Sequence, residues 1–210
     1  TLTTKGSDSL TATSPATAPT KGYFQALISE RPASAVTEWS TNTLTTNGAG
    51  ANYTFRYIIS SSDLTNSSDR VRFTLDGPPS GSESCVLDNV AIVERSGISG
   101  QGVTTPIEVL FGGTSGVTIP VNSKITSDWV DFDLDASKDY LFIYDFDSTA
   151  QSYAYTSSGG NGIYYNGPSG SPNSYNTANM PTTPLFIANT ARVLSKVETA
   201  VNPTINTDYI

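Results

Sequence analysis

The sequence predicts an all-β protein, a jelly-roll β-sandwich with an extended N-terminal arm. Three observations point there. The hydrophobic fraction is only 37% and the charged fraction 14%, and the balance is filled by Ser, Thr, Asn and Gly. Short hydroxyl and amide side chains compete with a helical backbone for hydrogen bonds and so favour strands and turns. The apolar residues in the middle of the chain recur with a period of two, the signature of a half-buried strand. Gly and Pro clusters interrupt these runs at short intervals, which describes a sandwich or barrel of many short strands. A length of 210 residues fits one such domain. The expected division is residues 1–22 as arm or linker and 23–210 as a single sandwich, without internal repeats.

The arm, TLTTKGSDSLTATSPATAPTKG, has too few large apolar residues to bury a core alone. It reads as a linker or as a segment that lies along a neighbouring subunit. Tyr23 to Glu30 reads as a strand ending at a turn on Pro32. Asn47-Gly48 is a turn signal, followed by a strand over Tyr53 to Ile59. SSSDLTNSSD is a loop. In RVRFTLDG, Val71, Phe73 and Leu75 alternate with Arg70, Arg72 and Thr74. DGPPSGSES turns the chain into CVLDNVAIVE, whose nearly continuous apolar run indicates burial on both faces. SGISGQG is a loop. TPIEVLFGG and SGVTIP are short strands around a turn at Gly112-Gly113. SDWVDFDL directs Val130, Phe132 and Leu134 inward, and KDYLFIYDFD is a long central strand. Residues 148–184 read as one long polar loop rich in Tyr, Gly, Ser and Asn. Two further strands are expected, over Leu185 to Ala188 and Arg192 to Val197.

Charge and composition exclude several functions. The net charge is −8 with only 11 Lys and Arg. Duplex binding needs clustered basic residues to neutralise phosphates, so neither nucleic acid nor an anionic membrane is an expected partner. No leader pattern and no apolar run of transmembrane length is read. Histidine is absent, which removes Ser-His-Asp and Cys-His machinery and any His-ligated metal. The lone cysteine, Cys85, cannot form an internal disulfide and reads as a small buried hydrophobe.

Two stretches are candidate sites. Asp131, Asp133 and Asp135 stand at D-x-D-x-D spacing, but Ala136 and Phe142 occupy the positions where an EF-hand needs Gly and Glu. On a strand such carboxylates share one face about 7 Å apart. They would bind structural calcium only if a facing loop completed the shell, and the solvated face of a strand is the favoured reading. The second candidate comprises Tyr153, Tyr155, Asn161, Tyr164, Tyr165, Asn166 and Tyr175. Rigid amphipathic tyrosines among adaptable Ser, Gly and Asn suit recognition of a glycan or a protein partner. Trp39 and Trp129 read as core or subunit-contact residues, and Arg70 and Arg72 as solvated.

Phe111-Gly112-Gly113, Val117-Thr118-Ile119-Pro120, Ser127-Asp128 and the strand Leu141 to Tyr144 together resemble the β-rich accessory domain that precedes SGNH (GDSL-type) esterase domains. Asp88-Asn89-Val90 is similar to a step in the closing strand of carbohydrate-binding jelly rolls. The resemblance covers roughly the middle third of the chain. It implies a jelly roll without its enzyme, since no esterase domain follows. GSDSL at Gly6 to Leu10 has an extra Ser7 relative to the nucleophile block, and no histidine exists to activate Ser9.

The expected function is therefore a non-enzymatic structural or binding component of a multimeric surface assembly. A phage virion component (head decoration or tail fibre) with possible adhesion to a cell-surface glycan is favoured. The alternative is a carbohydrate-binding or accessory module of a secreted carbohydrate-active enzyme or esterase.

Overall fold

The period-two segments form strands that fold into two facing sheets. A computed structural model describes residues 2–5, 9–12, 34–40, 45–147, 151–156, 162–166, 177–178, 185–187 and 191–201. Its strands are β1 (Leu2–Lys5), β2 (Ser9–Ala12), β3 (Ser34–Ser40), β4 (Thr45–Gly50), β5 (Thr54–Ile59), β6 (Ser68–Asp76), β7 (Cys85–Glu94), β8 (Ile107–Glu108) and β9 (Val117–Ile119). They continue with β10 (Lys124–Thr126), β11 (Val130–Leu134), β12 (Tyr140–Phe146), β13 (Gln151–Thr156), β14 (Ile163–Asn166), β15 (Leu185–Ile187), β16 (Ala191–Arg192) and β17 (Leu194–Val201). The chain divides into two units, Thr1–Ala33 and Ser34–Ile210. In the first, β1 and β2 pair antiparallel with Leu2 opposite Ala12. The strand expected over Tyr23 to Glu30 lies outside the described residues.

In the second unit a five-stranded sheet has the order β10-β6-β17-β3, with β11 also on β6. A seven-stranded sheet has the order β15-β14-β5-β12-β7-β8, with β9 also on β7, and β16-β13-β4 form a third, smaller sheet. The antiparallel pairs nest: β3 with β17, β4 with β13, β5 with β12, β6 with β11, and β7 with β9. The described strands from β3 to β17 thus nest as a double ribbon. From β5 to β12 the chain passes back and forth between the two large sheets, which is the jelly-roll winding.

Apolar alternation explains the core. Val71, Phe73 and Leu75 on β6 are fully buried and face β5, β7 and β12 of the other sheet. Phe73 and Phe142 meet with ring centroids 4.8 Å apart, and Trp39 packs 5.8 Å from Tyr57. A second cluster, Ile58, Ala91, Val93, Leu141 and Ile143, lies on the opposite face of the seven-stranded sheet. That is why every residue of β12 is buried. On β7 two-sided burial holds from Val90 to Val93, while Asp88 is exposed. Burial pushes the Cys85 thiol up to about 12, as suits an inert core residue.

Residues that carried the family resemblance hold turns together. Gly112 and Gly113 have φ of 62° and 80° between bridged Phe111 and Thr114, a backbone that favours glycine. Asp128 accepts a hydrogen bond from the Gly113 N–H at 2.7 Å, and Ser127 Oγ accepts from the Phe73 N–H at 3.0 Å.

Two expectations are corrected. Asn47-Gly48 is not a turn but part of β4. Asn47 pairs with Tyr153 and Gly50 with Gln151, so Gly48 and Ala49 oppose Ser152 as a bulge. Glycine marks bulges as well as turns. Residues 148–184 are not one loop, because Gln151–Thr156 and Ile163–Asn166 are strands. Their tyrosines favour a pleated, half-buried surface, a preference that the surrounding Ser, Gly and Asn masked.

A further bulge in β3 places Glu38 between Trp39, opposite Val197, and Thr37, opposite Glu198. Its carboxylate accepts from the Thr65 N–H at 2.6 Å, Thr65 Oγ1 at 2.7 Å, Asn66 Nδ2 at 2.8 Å and Thr199 Oγ1 at 2.6 Å. It ties the loop after β5 to the five-stranded sheet. Burial alone would raise its pKa, but these hydrogen bonds outweigh burial and hold it at about 2, below the usual 4.5. A carboxyl with a depressed pKa stabilises the fold above its unfolded value and loses that contribution as pH falls towards its folded value. Allowing for solvent screening, the contribution is about 1–2 kcal/mol. Urea denaturation from pH 5 to 2.5 should show Glu38→Gln less stable than wild type at pH 5 and less sensitive to acid. Parallel stability curves would show that this carboxylate carries no such linkage.

Candidate functional site

Of the predicted tyrosines, Tyr153 and Tyr164 take different places. Tyr153 is buried, its ring 4.9 Å from that of Phe146. It is a core residue and not a ligand contact, because β13 turns this position inward. Tyr155 lies opposite Thr45 and Arg192, Tyr165 opposite Phe55 and Leu185, and Asn166 opposite Thr54. Asn161 and Tyr175 lie outside the described residues.

Tyr164 is half-buried against the outer apolar cluster of the seven-stranded sheet. From there it holds the SGISGQG loop that follows β7. Its hydroxyl donates to the Ile98 carbonyl at 2.6 Å, and the Arg95 guanidinium lies 5.7 Å from its ring centroid. Gly100 packs so closely that a Cβ there would sit 2.5 Å from Tyr164 Cγ. Arg95 supplies the second anchor. Its Nη2 donates to Ile98 O at 2.6 Å, its Nε to Ser99 O at 2.8 Å and its Nη1 to Asp139 Oδ2 at 3.1 Å.

Arg56 supplies the third anchor. It is fully buried, and its Nη1 reaches Gly100 O at 3.2 Å and Ala178 O at 2.6 Å, while its Nη2 donates to Thr177 O at 2.6 Å. Burial pulls its pKa down to about 10, against the opposing attraction of Asp145. Backbone bonds close the loop, with Ser96 N–H donating to Gln101 O at 2.7 Å and Gly102 N–H to Ala178 O at 2.7 Å. On this fastened loop Ile98 is 90% exposed. Sequence reading missed the loop as a site, because its anchors Arg56 and Arg95 are distant in sequence and become neighbours only through strand pairing.

The three aspartates take separate roles. Asp131, Asp133 and Asp135 are exposed while Val130 and Leu134 are buried, as the alternation predicted. The register slips between Asp131 and Leu134, so the carboxylates do not form a regular ladder. Asp135 Oδ1 accepts from the Ser137 N–H at 2.9 Å and Ser137 Oγ at 2.7 Å, which lowers its pKa and caps the turn into β12. Among the described residues, no group of three or more Cys, Asp or Glu side chains is gathered to hold a metal.

Arg72, expected to be simply solvated, pairs with Glu198. Nε to Oε2 is 3.0 Å, and the guanidinium lies 4.6 Å from the Trp129 ring centroid. Lys196 reaches Glu198 Oε1 at 3.1 Å. Burial would raise the Glu198 pKa, but Arg72 and Lys196 outweigh it and hold the carboxyl below its usual value.

No protein-family model matches the chain, and no curated protein matches it.

Proposed function

We propose that this chain is a non-enzymatic binding and structural component of a multimeric surface assembly, in particular of a phage virion, where it serves as a head-decoration or tail-fibre domain. The observation that carries the reading is Ile98, an exposed apolar side chain on a loop fastened by Arg95, Tyr164 and Arg56. A single exposed apolar residue is ordinary on any protein. Holding it in one geometry is not, because pre-ordering a loop lowers the entropy lost when a partner docks. The Ser- and Thr-rich arm offers a second contact with neighbouring subunits, and the absence of histidine removes the common hydrolytic machinery.

The test is Ile98→Asp in the full chain, followed by multi-angle light scattering and by copurification with the native particle. The substitution should weaken association by about ten-fold or more, equivalent to about 1.4 kcal/mol. The thermal midpoint should stay within a few degrees of wild type. Unchanged association, or turnover of a generic ester that Ser9→Ala abolishes, overturns the reading.

A further inference from the structure

We infer that the outer face of the five-stranded sheet carries a second binding site, centred on Trp129 and Arg70, for a carboxylate-bearing sugar of the uronic or sialic acid class. The face is built by alternation. On β6, Val71, Phe73 and Leu75 turn inward, which sends Arg70 and Arg72 outward with Asp131 of β11 and Lys196 and Glu198 of β17. Trp129, just before β11, is half-buried on this face, with Arg72 4.6 Å and Arg70 5.9 Å from its ring centroid.

The two arginines differ in charge balance. Arg72 is committed to Glu198, with Nε to Oε2 at 3.0 Å and Nη2 to Oε1 at 3.4 Å. Glu198 is in turn shared with Lys196, which leaves this trio with a net positive charge. Arg70 has no carboxylate within 4.0 Å among the described residues, even though Asp131 is its register partner. Among the described residues no carboxylate closes an ion pair with this guanidinium, on a chain of net charge −8. Its planar fork suits a carboxylate better than a point cation does. The half-buried indole, with the Arg72 guanidinium over its ring, adds a rigid aromatic wall beside the arginines for the C–H bonds of a sugar ring. Exposed Asp131, opposite Arg70, and exposed Thr126, opposite Thr74, are partners for hydroxyls. Among the described residues the large exposed apolar side chains are Ile98, Val103 and Ile107, none of them on this sheet. One aromatic platform surrounded by charges and hydroxyls suits a sugar more than the apolar centre of a protein interface.

The experiment is isothermal titration calorimetry of the full chain with trigalacturonate and with sialyllactose. Maltotriose serves as the neutral control and hexa-aspartate as the acidic-peptide control. At least one acidic sugar should bind, with maltotriose about ten-fold weaker or worse. Arg70→Gln should cost about ten-fold, Arg70→Lys should recover only part of the loss, and Trp129→Ala should remove binding while circular dichroism stays unchanged. Ile98→Asp should leave sugar binding intact, which separates this site from the assembly contact. The inference is overturned if neither acidic sugar binds at about 5 mM, if maltotriose binds equally, or if Arg70→Gln binds as wild type does. It is also overturned if hexa-aspartate binds as well with the same Arg70 dependence, which would make the face a protein contact.

Discussion

Arg56→Ala is expected to destabilise the protein by about 3–5 kcal/mol, because removing one member of a buried charge pair leaves the other uncompensated. Arg56 and Asp145 are both buried in the seven-stranded sheet, where Thr54 Oγ1 donates to Asp145 Oδ1. Losing the guanidinium also removes one hydrogen bond from each of the Gly100, Thr177 and Ala178 carbonyls. For a protein of this size the thermal midpoint should fall by roughly 10 °C. The informative comparison is Arg56→Leu combined with Asp145→Asn. Removing both charges should cost less than Arg56→Leu alone, since the desolvated carboxylate is gone. A double variant as unstable as the sum of its singles would show that the two charges do not interact. Hydrogen exchange adds a local readout, as amides of Ser96 to Gly102 should exchange faster in Arg56→Ala than those of β12.

Phe142→Ala should cost about 3–5 kcal/mol for a different reason, the loss of buried area plus the cavity left behind. Phe142 is fully buried on the central strand β12, between β5 and β7, and meets Phe73 of the opposing sheet at 4.8 Å. Phe142→Leu should recover more than half of the loss, because it refills most of the volume. Chemical denaturation of the pair measures both effects. A cost under about 1 kcal/mol for the alanine variant would mean that the two sheets close over the gap.

The part of the fold legible in the sequence was the part written in local alternation. Val71, Phe73 and Leu75 against Arg70 and Arg72 identified β6 and its inward face. The apolar run in KDYLFIYDFD identified a long central strand, and the structure shows every residue of that strand, β12, buried. Signals that depend on a partner strand misled. Asn47-Gly48 carries the chemistry of a hairpin turn, but its pairing with β13 makes it a bulge. The tyrosines after Asp147 resembled a recognition loop by composition, whereas register placed Tyr153 in the core and Tyr164 under the loop after β7.

The candidate sites were less legible for the same physical reason. Arg95 with Tyr164, and Arg72 with Glu198, are 69 and 126 residues apart in the chain. No window of sequence shows that one arginine fastens a loop or that another is neutralised. By itself, the sequence determined the β class, the inward faces of the central strands, the inert character of Cys85 and the absence of histidine chemistry. Each of these follows from residue type and near-neighbour spacing. The tertiary structure alone decided the nested pairing, the fastening of Ile98, and which of Arg70 and Arg72 forms an ion pair among the described residues. Those outcomes depend on which distant strands lie side by side, and strand pairing is set by closing the whole sandwich over one shared core.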